Sequence, residues 1–177
     1  MWTNFRQLDP SFAAPLWSTL LSEALVVLPN VGASLVLTAT SLEVFIASTL
    51  DALAAVALNN SPLWTWINNR KQRSSNPGPE EQFSKLLEIL GSQSLTTDNS
   101  LWESYQSLRK ARNSFAHGGV ATLGVAPVTE QQAREFIEIA WQITKFVRDH
   151  LPEQIKWPHH MYEVKFTYSK SQRLGTG

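Results

Sequence analysis

A long apolar segment in the first third of the chain limits the folds that this sequence can adopt. Over residues 33–58, apolar side chains recur at helical spacing and surround the helix on almost every side. Only Glu43 and Asp51 carry a charge within it. A helix that is apolar all round has to be covered by other elements. The segment therefore predicts the central helix of a bundle.

The same region is long enough for a membrane span, because residues 24–42 carry no charge. Its middle, however, contains the turn signature Pro29-Asn30-Val31-Gly32, and no cluster of Lys or Arg flanks either end. We therefore expect two buried helices that meet at a turn, and no membrane partner. The N-terminal residues lack the pattern of a signal peptide, and we expect a cytoplasmic protein.

Further helices are expected around this segment. Periodicity predicts them over residues 11–28, 80–90, about 100–117 and 130–150. The expected caps are Gly91 at the end of one helix, Asp98 or Ser100 before the next, and Thr129 before the last. The sequence thus predicts an all-α fold, a helical bundle of four to five helices with a short C-terminal extension. The expected parts are an N-terminal helix and turn over 1–32, the bundle over 33–152, and a partly irregular extension over 153–177 with a strand-like alternation at 164–168.

Composition excludes some classes of function. Lys and Arg number 15, as do Asp and Glu, so the formal net charge is zero. That balance argues against coating nucleic acid by bulk electrostatics, but it leaves room for a local basic pocket. The chain has no cysteine, and His159 and His160 are adjacent rather than helically spaced. We expect neither a metal nor another cofactor.

A polar cluster interrupts the helix that ends before Gly118. Its apolar stripe consists of Leu101, Tyr105, Leu108 and Phe115. Arg112 occupies the gap in that stripe, where an unpaired guanidinium costs several kcal/mol if it is buried. Asn113 and His117 are one helical turn apart at the edge of the same face. Such a cluster in an apolar seam is a candidate functional site and a candidate two-fold interface.

A purely structural interpretation is also open. Arg112 would then be paired with Glu43 or Asp51 and would hold the register of the bundle. His117 would satisfy carbonyl groups and the helix dipole in the last turn before Gly118. From spacing alone, these ordinary roles are at least as common as a catalytic one.

Residues 108–118, Leu-Arg-Lys-Ala-Arg-Asn-Ser-Phe-Ala-His-Gly, resemble the signature of HEPN domains. That signature is an arginine, a polar residue that is often asparagine, three further residues and a histidine, at the end of the third core helix. The resemblance extends to residues 42–46, to 87–91 followed by 101–102, and to 130–150. It covers about residues 35–151, and it implies a HEPN-like helical bundle.

The resemblance also implies an activity, that of a metal-independent endoribonuclease with a composite site across a homodimer. His117 would be the acid–base group, Arg112 would hold the scissile phosphate, and Asn113 would orient the phosphate or the histidine. Arg109 and Lys110, about one turn from Arg112, would bind the RNA substrate. Proteins of this kind often act as toxins or in phage defence, which implies a cognate antitoxin or regulatory protein as a further partner.

Two other functions remain open at this point. The first is a non-catalytic HEPN module that dimerises or binds RNA or a nucleotide. The second is a helical interaction protein in which Arg112 has only a structural ion pair. The intact Arg-Asn-x-x-x-His pattern favours the enzyme, whereas the zero net charge favours a module.

Overall fold

The computed structural model of the protein describes residues 14–58, 63, 64, 67 and 77–156. Within these residues the chain forms five longer helices, two 3₁₀ turns (Leu95–Thr97 and Glu153–Ile155) and one short hairpin, which confirms the predicted helical bundle. Helix α1 is Leu16–Val26, α2 is Val31–Ala57, α4 is Asn99–Gly118 and α5 is Glu130–Asp149. Helix α3 has three consecutive segments, Pro79–Glu81, a π-helical turn Gln82–Leu86, and Leu87–Gly91. Strands β1 (Thr122–Leu123) and β2 (Ala126–Pro127) pair antiparallel between α4 and α5.

The apolar segment forms two helices that meet at a turn, as the sequence predicts. Asn30 caps α2, and its side-chain oxygen accepts a hydrogen bond from the Ala33 amide at 3.2 Å. Two buried hydroxyl groups then connect α2 to α1, because Ser34 donates to Ala24 O at 2.9 Å and Ser41 donates to Trp17 O at 2.7 Å. By length and composition α2 is able to cross a membrane, but 50% of its most apolar window is buried within the protein.

The core forms around α2, which contacts each of the other four helices. Trp17 of α1 packs edge-on against Phe45 of α2, with ring centroids 5.4 Å apart, and against Trp141 of α5 at 5.7 Å. Helix α1 is therefore packed into the same core as α2 and α5. The buried side chains of α2 include Leu35, Leu42, Phe45, Ile46, Leu50 and Leu53. No residue in 31–46 is exposed, which explains why this part of the helix has no polar stripe, whereas the second half exposes Ala47, Ser48, Asp51 and residues 55–57.

The ends of three helices test the predicted caps. Asp98 accepts a hydrogen bond from the Leu101 amide at 3.0 Å, and Thr129 forms a capping box with Gln132. The prediction that Gly91 caps α3 is wrong, because Gly91 is the last helical residue and Ser92 adopts the left-handed conformation, with φ 61°. A Cβ atom at Gly91 would lie 3.3 Å from Leu53 Cδ1, so the glycine serves the close approach of α3 to α2.

Some predicted features lie outside the described residues. These are the strand-like alternation at 164–168, the pair His159 and His160, and residues 11–13 of the predicted first helix. The predicted start of that helix at residue 11 is wrong, because residues 14 and 15 are not helical and Pro15 is the N-cap of a helix that begins at Leu16.

Candidate functional site

Arg112 lies at the edge of the core-facing side of α4. Leu108 and Ala111 are fully buried on that side, and Phe115 is half-buried. Ala111 was not identified as a core residue from the apolar stripe. Since Leu108 faces the core of its own protomer, it is not available to a partner subunit. The half-buried Arg112 therefore marks the boundary between the core and the surface.

The guanidinium of Arg112 has one hydrogen-bond partner among the described residues. Its Nη1 donates to Asn113 Oδ1 at 3.0 Å, whereas its Nε is buried and has no partner among them. In that part of the chain no carboxylate forms an ion pair with Arg112. Asp51 instead accepts a hydrogen bond from Trp64 Nε1 at 2.8 Å. The pairing of Arg112 with Glu43 or Asp51 is thus not formed.

His117 is exposed in the last turn of α4. It is five positions after Arg112, so the two Cα–Cβ directions differ by about 140° around the helix. Asn113 lies between them, one turn before His117. The hydrogen bond to Asn113 directs Nη1 of Arg112 toward the side of α4 nearer to His117, whereas Nε stays buried. Arg112, Asn113 and His117 therefore form one polar band around the end of α4, which we call the motif band.

The two predicted substrate-binding residues have different surroundings. Lys110 is exposed. Arg109 forms an ion pair with Glu80 of α3, and its guanidinium stands over the Tyr105 ring, 5.9 Å from the ring centroid. A phosphate at Arg109 has to compete with Glu80, whereas Lys110 has no such competitor among the described residues.

Tyr105, two turns before Arg112, is a buried polar group that the sequence pattern did not identify. It is 1% exposed, and its hydroxyl has no hydrogen-bond partner among the described residues. Burial raises the pKa of this phenol well above its usual value; the guanidinium of Arg109 opposes the rise, and the carboxylates of Glu43 and Glu80 add to it. The phenol is therefore uncharged throughout the neutral range. Its ring packs against Phe83 in the π-helical turn, with centroids 4.9 Å apart.

Ser114, inside the motif, connects α4 to the β-hairpin. Its Oγ accepts a hydrogen bond from the Thr122 amide at 2.6 Å and lies within donating distance of Val120 O (3.0 Å) and Ala111 O (3.1 Å). Sequence analysis treated this serine as one of the three variable residues of the pattern. No spacing rule identifies such a contact, because it depends on the path of the chain after Gly119.

Phe115 anchors the motif to the start of α2. A Cβ atom built at Gly32 would overlap the Phe115 ring, so the ring occupies the space that any other residue at position 32 would fill. Gly32 is buried, and it was interpreted from the sequence only as part of a turn. The close approach of ring and backbone sets the position of the last turns of α4 relative to α2.

The arrangement combines a cation, an amide and an imidazole at one helix end. Among the described residues there is no group of three or more His, Cys, Asp or Glu side chains placed to hold a metal ion. The motif band offers hydrogen-bond donors to an anion and one imidazole, a group able to accept or donate a proton. Comparison of the chain with protein-family models, with curated proteins and with solved structures finds no match.

Proposed function

We propose that the protein is a HEPN-type, metal-independent endoribonuclease whose active site is completed by a second copy of the same chain. The observation that carries this proposal is the half-buried guanidinium of Arg112, which has no carboxylate partner among the described residues. A cation in that position needs a counter-charge, and a phosphate group of RNA supplies one. Asn113 and His117 lie on the side toward which that guanidinium turns.

The chemistry follows from the groups in the motif band. His117 in its neutral form accepts the proton of an RNA 2′-hydroxyl, whose oxygen then forms a bond to the adjacent phosphorus. The bond from phosphorus to the 5′-oxygen breaks, and that oxygen takes a proton from a protonated histidine. The products are a 2′,3′-cyclic phosphate and a 5′-hydroxyl. Arg112 stabilises the negative charge that develops on the phosphoryl oxygens, and Asn113 keeps the guanidinium turned toward them.

A second copy supplies what one protomer lacks. Proton removal and proton donation in one step need two acid–base groups, and the motif of a single chain contains one histidine. The loop and hairpin beside His117 also expose apolar side chains, since Val120 is 56% exposed and Val125 is fully exposed. Two copies related by a two-fold axis would place two motif bands on one substrate. Enzymes of this type serve as toxins or phage-defence effectors, which makes a cognate antitoxin a further proposed partner.

Cleavage of single-stranded RNA in excess EDTA tests the proposal. The wild-type protein is expected to produce cyclic phosphate or 3′-phosphate ends, whereas His117→Ala and Arg112→Ala are expected to be inactive and folded. His150→Ala is a matched control, because His150 is also an exposed histidine at a helix end, where its Nδ1 lies 2.7 Å from Phe146 O. Cleavage that persists in His117→Ala would assign the activity to another site or to a contaminant.

A non-catalytic module that binds RNA or nucleotides is the second candidate. The separation of about 140° between Arg112 and His117 favours it, because one protomer alone presents an anion site without a histidine directly facing it. Fluorescence anisotropy with labelled RNA separates the two functions. Binding that depends on Arg112, without cleavage and without dependence on His117, would support the module and contradict the enzyme.

A further inference from the structure

The hydroxyl group of Ser114 holds the hairpin against the end of α4. A hydroxyl has one hydrogen to donate and two lone pairs to accept with. The Ser114 Oγ therefore accepts the Thr122 N–H, at 2.6 Å, and donates to one nearby carbonyl at a time. The carbonyls within reach are Val120 O at 3.0 Å, Ala111 O at 3.1 Å and Thr122 O at 3.4 Å. The acceptor side of the hydroxyl thus contacts the strand, and its donor side contacts the loop when the hydrogen points to Val120 O.

The hairpin has few hydrogen bonds of its own, although Ala121 and Val128 at its base are buried and Leu123 packs against the core. Strands β1 and β2 are two residues long, with the pairs Thr122–Pro127 and Leu123–Ala126. An isolated two-stranded hairpin is marginally stable in water even when its strands are longer. The Val128 amide donates to Ala121 O at 2.9 Å and closes its base. Among the described residues, Ser114 supplies the side-chain hydrogen bonds that link this region to α4.

The loop held in this way passes beside His117. Ser114 precedes His117 by three residues, so the two side chains leave neighbouring sides of the helix, about 60° apart. Gly119 turns the chain back in the left-handed conformation, with φ 72°, and its amide donates to Phe115 O at 2.8 Å. Residues 119–122 consequently return along the side of α4 on which Ser114 lies, and this loop begins two residues after His117.

We propose that Ser114 is a positioning residue for His117, acting through the loop 119–122 that its hydroxyl holds against α4. Its importance for RNA cleavage rests on the proposed function, but its effect on the His117 ring does not. Loss of the hydroxyl releases the Thr122 amide and lets the loop move away from α4. The His117 ring then samples orientations that do not suit proton transfer, and a displacement of this kind is costly to catalysis.

The test compares Ser114→Ala, Ser114→Thr and Ser107→Ala with the wild type. Ser107 lies on the same helix, but its hydroxyl donates only to Glu103 O of α4 itself, at 2.9 Å, which makes it a matched control. The first readout is the pair of imidazole signals of His117 in NMR spectra, assigned with His117→Ala and followed through a pH titration. The second is hydrogen exchange of the Thr122 amide, and the third is kcat and KM for RNA cleavage.

In Ser114→Ala we expect faster exchange at Thr122 and shifted His117 signals. We also expect a kcat about tenfold or more lower, with KM within about twofold. Ser114→Thr keeps the hydroxyl and is expected to restore all three, and Ser107→Ala is expected to match wild type. Wild-type His117 signals in Ser114→Ala, or failure of Ser114→Thr to restore them, would overturn the proposal. If the wild type cleaves no RNA, the proposed function fails, and shifted His117 signals in Ser114→Ala still support the role of Ser114.

Discussion

At the residue scale, the surroundings of Arg112 favour an anion-binding role over a structural ion pair. Removing one partner of a buried ion pair leaves an uncompensated charge and typically costs about 3–5 kcal/mol. Arg112 has no carboxylate partner among the described residues, and its Nε is already buried without an acceptor there. Its removal therefore leaves no buried carboxylate unpaired. What is lost is the packing of its alkyl chain and one hydrogen bond to Asn113.

Arg112→Ala is accordingly expected to change the free energy of unfolding by about 1 kcal/mol or less, which shifts the melting temperature by no more than about 4 °C. Phosphate or sulfate should raise the melting temperature of the wild type more than that of the variant, because the anion binds the folded state through Arg112. Arg134→Ala, which removes the exposed pair with Glu130 on α5, should keep the full anion effect. A large loss of stability in Arg112→Ala with no anion effect in either protein would show that the arginine is structural.

Tyr105 differs from Arg112, because we expect its buried hydroxyl to lower the stability of the folded protein. Tyr105→Phe removes a buried polar group without a described partner, and we expect a gain of about 1 kcal/mol in the free energy of unfolding. The pKa of this phenol is raised in the folded protein, so folding keeps it protonated where an unfolded tyrosine ionises. The stability that this pKa difference contributes is fully present below pH 10.0, the ordinary pKa of tyrosine, and it falls as the pH rises above that value.

Denaturant titrations at about pH 7, 9 and 11 measure this difference. Wild-type stability should fall more steeply between the last two values than that of Tyr105→Phe. Equal slopes would mean that the hydroxyl is solvated or paired in the folded protein.

Sequence analysis identified the residues of the motif band but not their contacts. Helical spacing showed that Arg112 interrupts an apolar stripe, and this is visible because spacing depends only on the helix itself. It did not decide between Glu43, Asp51 and an anion as the partner, since pairing depends on the packing of α2 against α4. The helical spacing identified Tyr105 only as a member of the apolar stripe and did not single out Ser114, because their polar atoms matter through groups distant in sequence or beyond a turn.

At the element scale, the contact of Phe115 with Gly32 ties the motif helix to the start of the central helix. Gly32→Ala forces the ring to move, and overpacking of this kind costs about 1–3 kcal/mol. Gly118→Ala is the matched control, because no atom lies within 4 Å of a Cβ atom there and the position is helical. The control is expected to be neutral or stabilising by up to about 1 kcal/mol.

Combining Gly32→Ala with Phe115→Leu should recover part of the loss, because the smaller side chain leaves room for the methyl group. A double-mutant cycle from urea unfolding gives the coupling free energy, expected to exceed about 0.5 kcal/mol. Additive effects of the two substitutions would contradict the close approach of ring and backbone.

The helices were easier to predict than their connections. The caps Asp98 and Thr129 follow from side-chain chemistry within four residues, and both are confirmed. The hairpin of two-residue strands and the π-helical turn have no such local signature. Gly91 shows most clearly what local sequence does not reveal. A glycine after an amphipathic segment indicates a helix cap, but here the glycine is explained by the close contact with Leu53 of α2.

At the scale of the whole molecule, the proposed ribonuclease requires two copies. The apolar stripe of α4 beside Arg112, predicted from the sequence as a candidate two-fold interface, is not the contact surface between two copies. Leu108 is fully buried, and Phe115 packs on Gly32 in the same protomer. The exposed apolar side chains near the motif band are Val120 and Val125, and these are the better candidates for the contact.

Sedimentation velocity is expected to show a dimer at micromolar concentration, and Val125→Lys should shift it toward monomer and lower RNA cleavage in parallel. Ile89→Lys serves as the control, because Ile89 is 72% exposed on α3, which packs near Leu53, toward the other end of α2 from Gly32. A strictly monomeric wild type that still cleaves RNA would remove the composite site.

The packing of α4 on the beginning of α2 also has a consequence for synthesis on the ribosome. Helices α1 and α2 precede α3, α4 and α5 in the chain, and the part of Val31–Ala57 that α4 and α5 cover remains exposed until those segments have been translated. During that interval the nascent chain displays an apolar helix long enough to engage chaperones or the membrane-insertion machinery. Rapid translation of the segment after α2 would shorten this exposure. The motif band would form only after α4 had been translated and had covered part of α2.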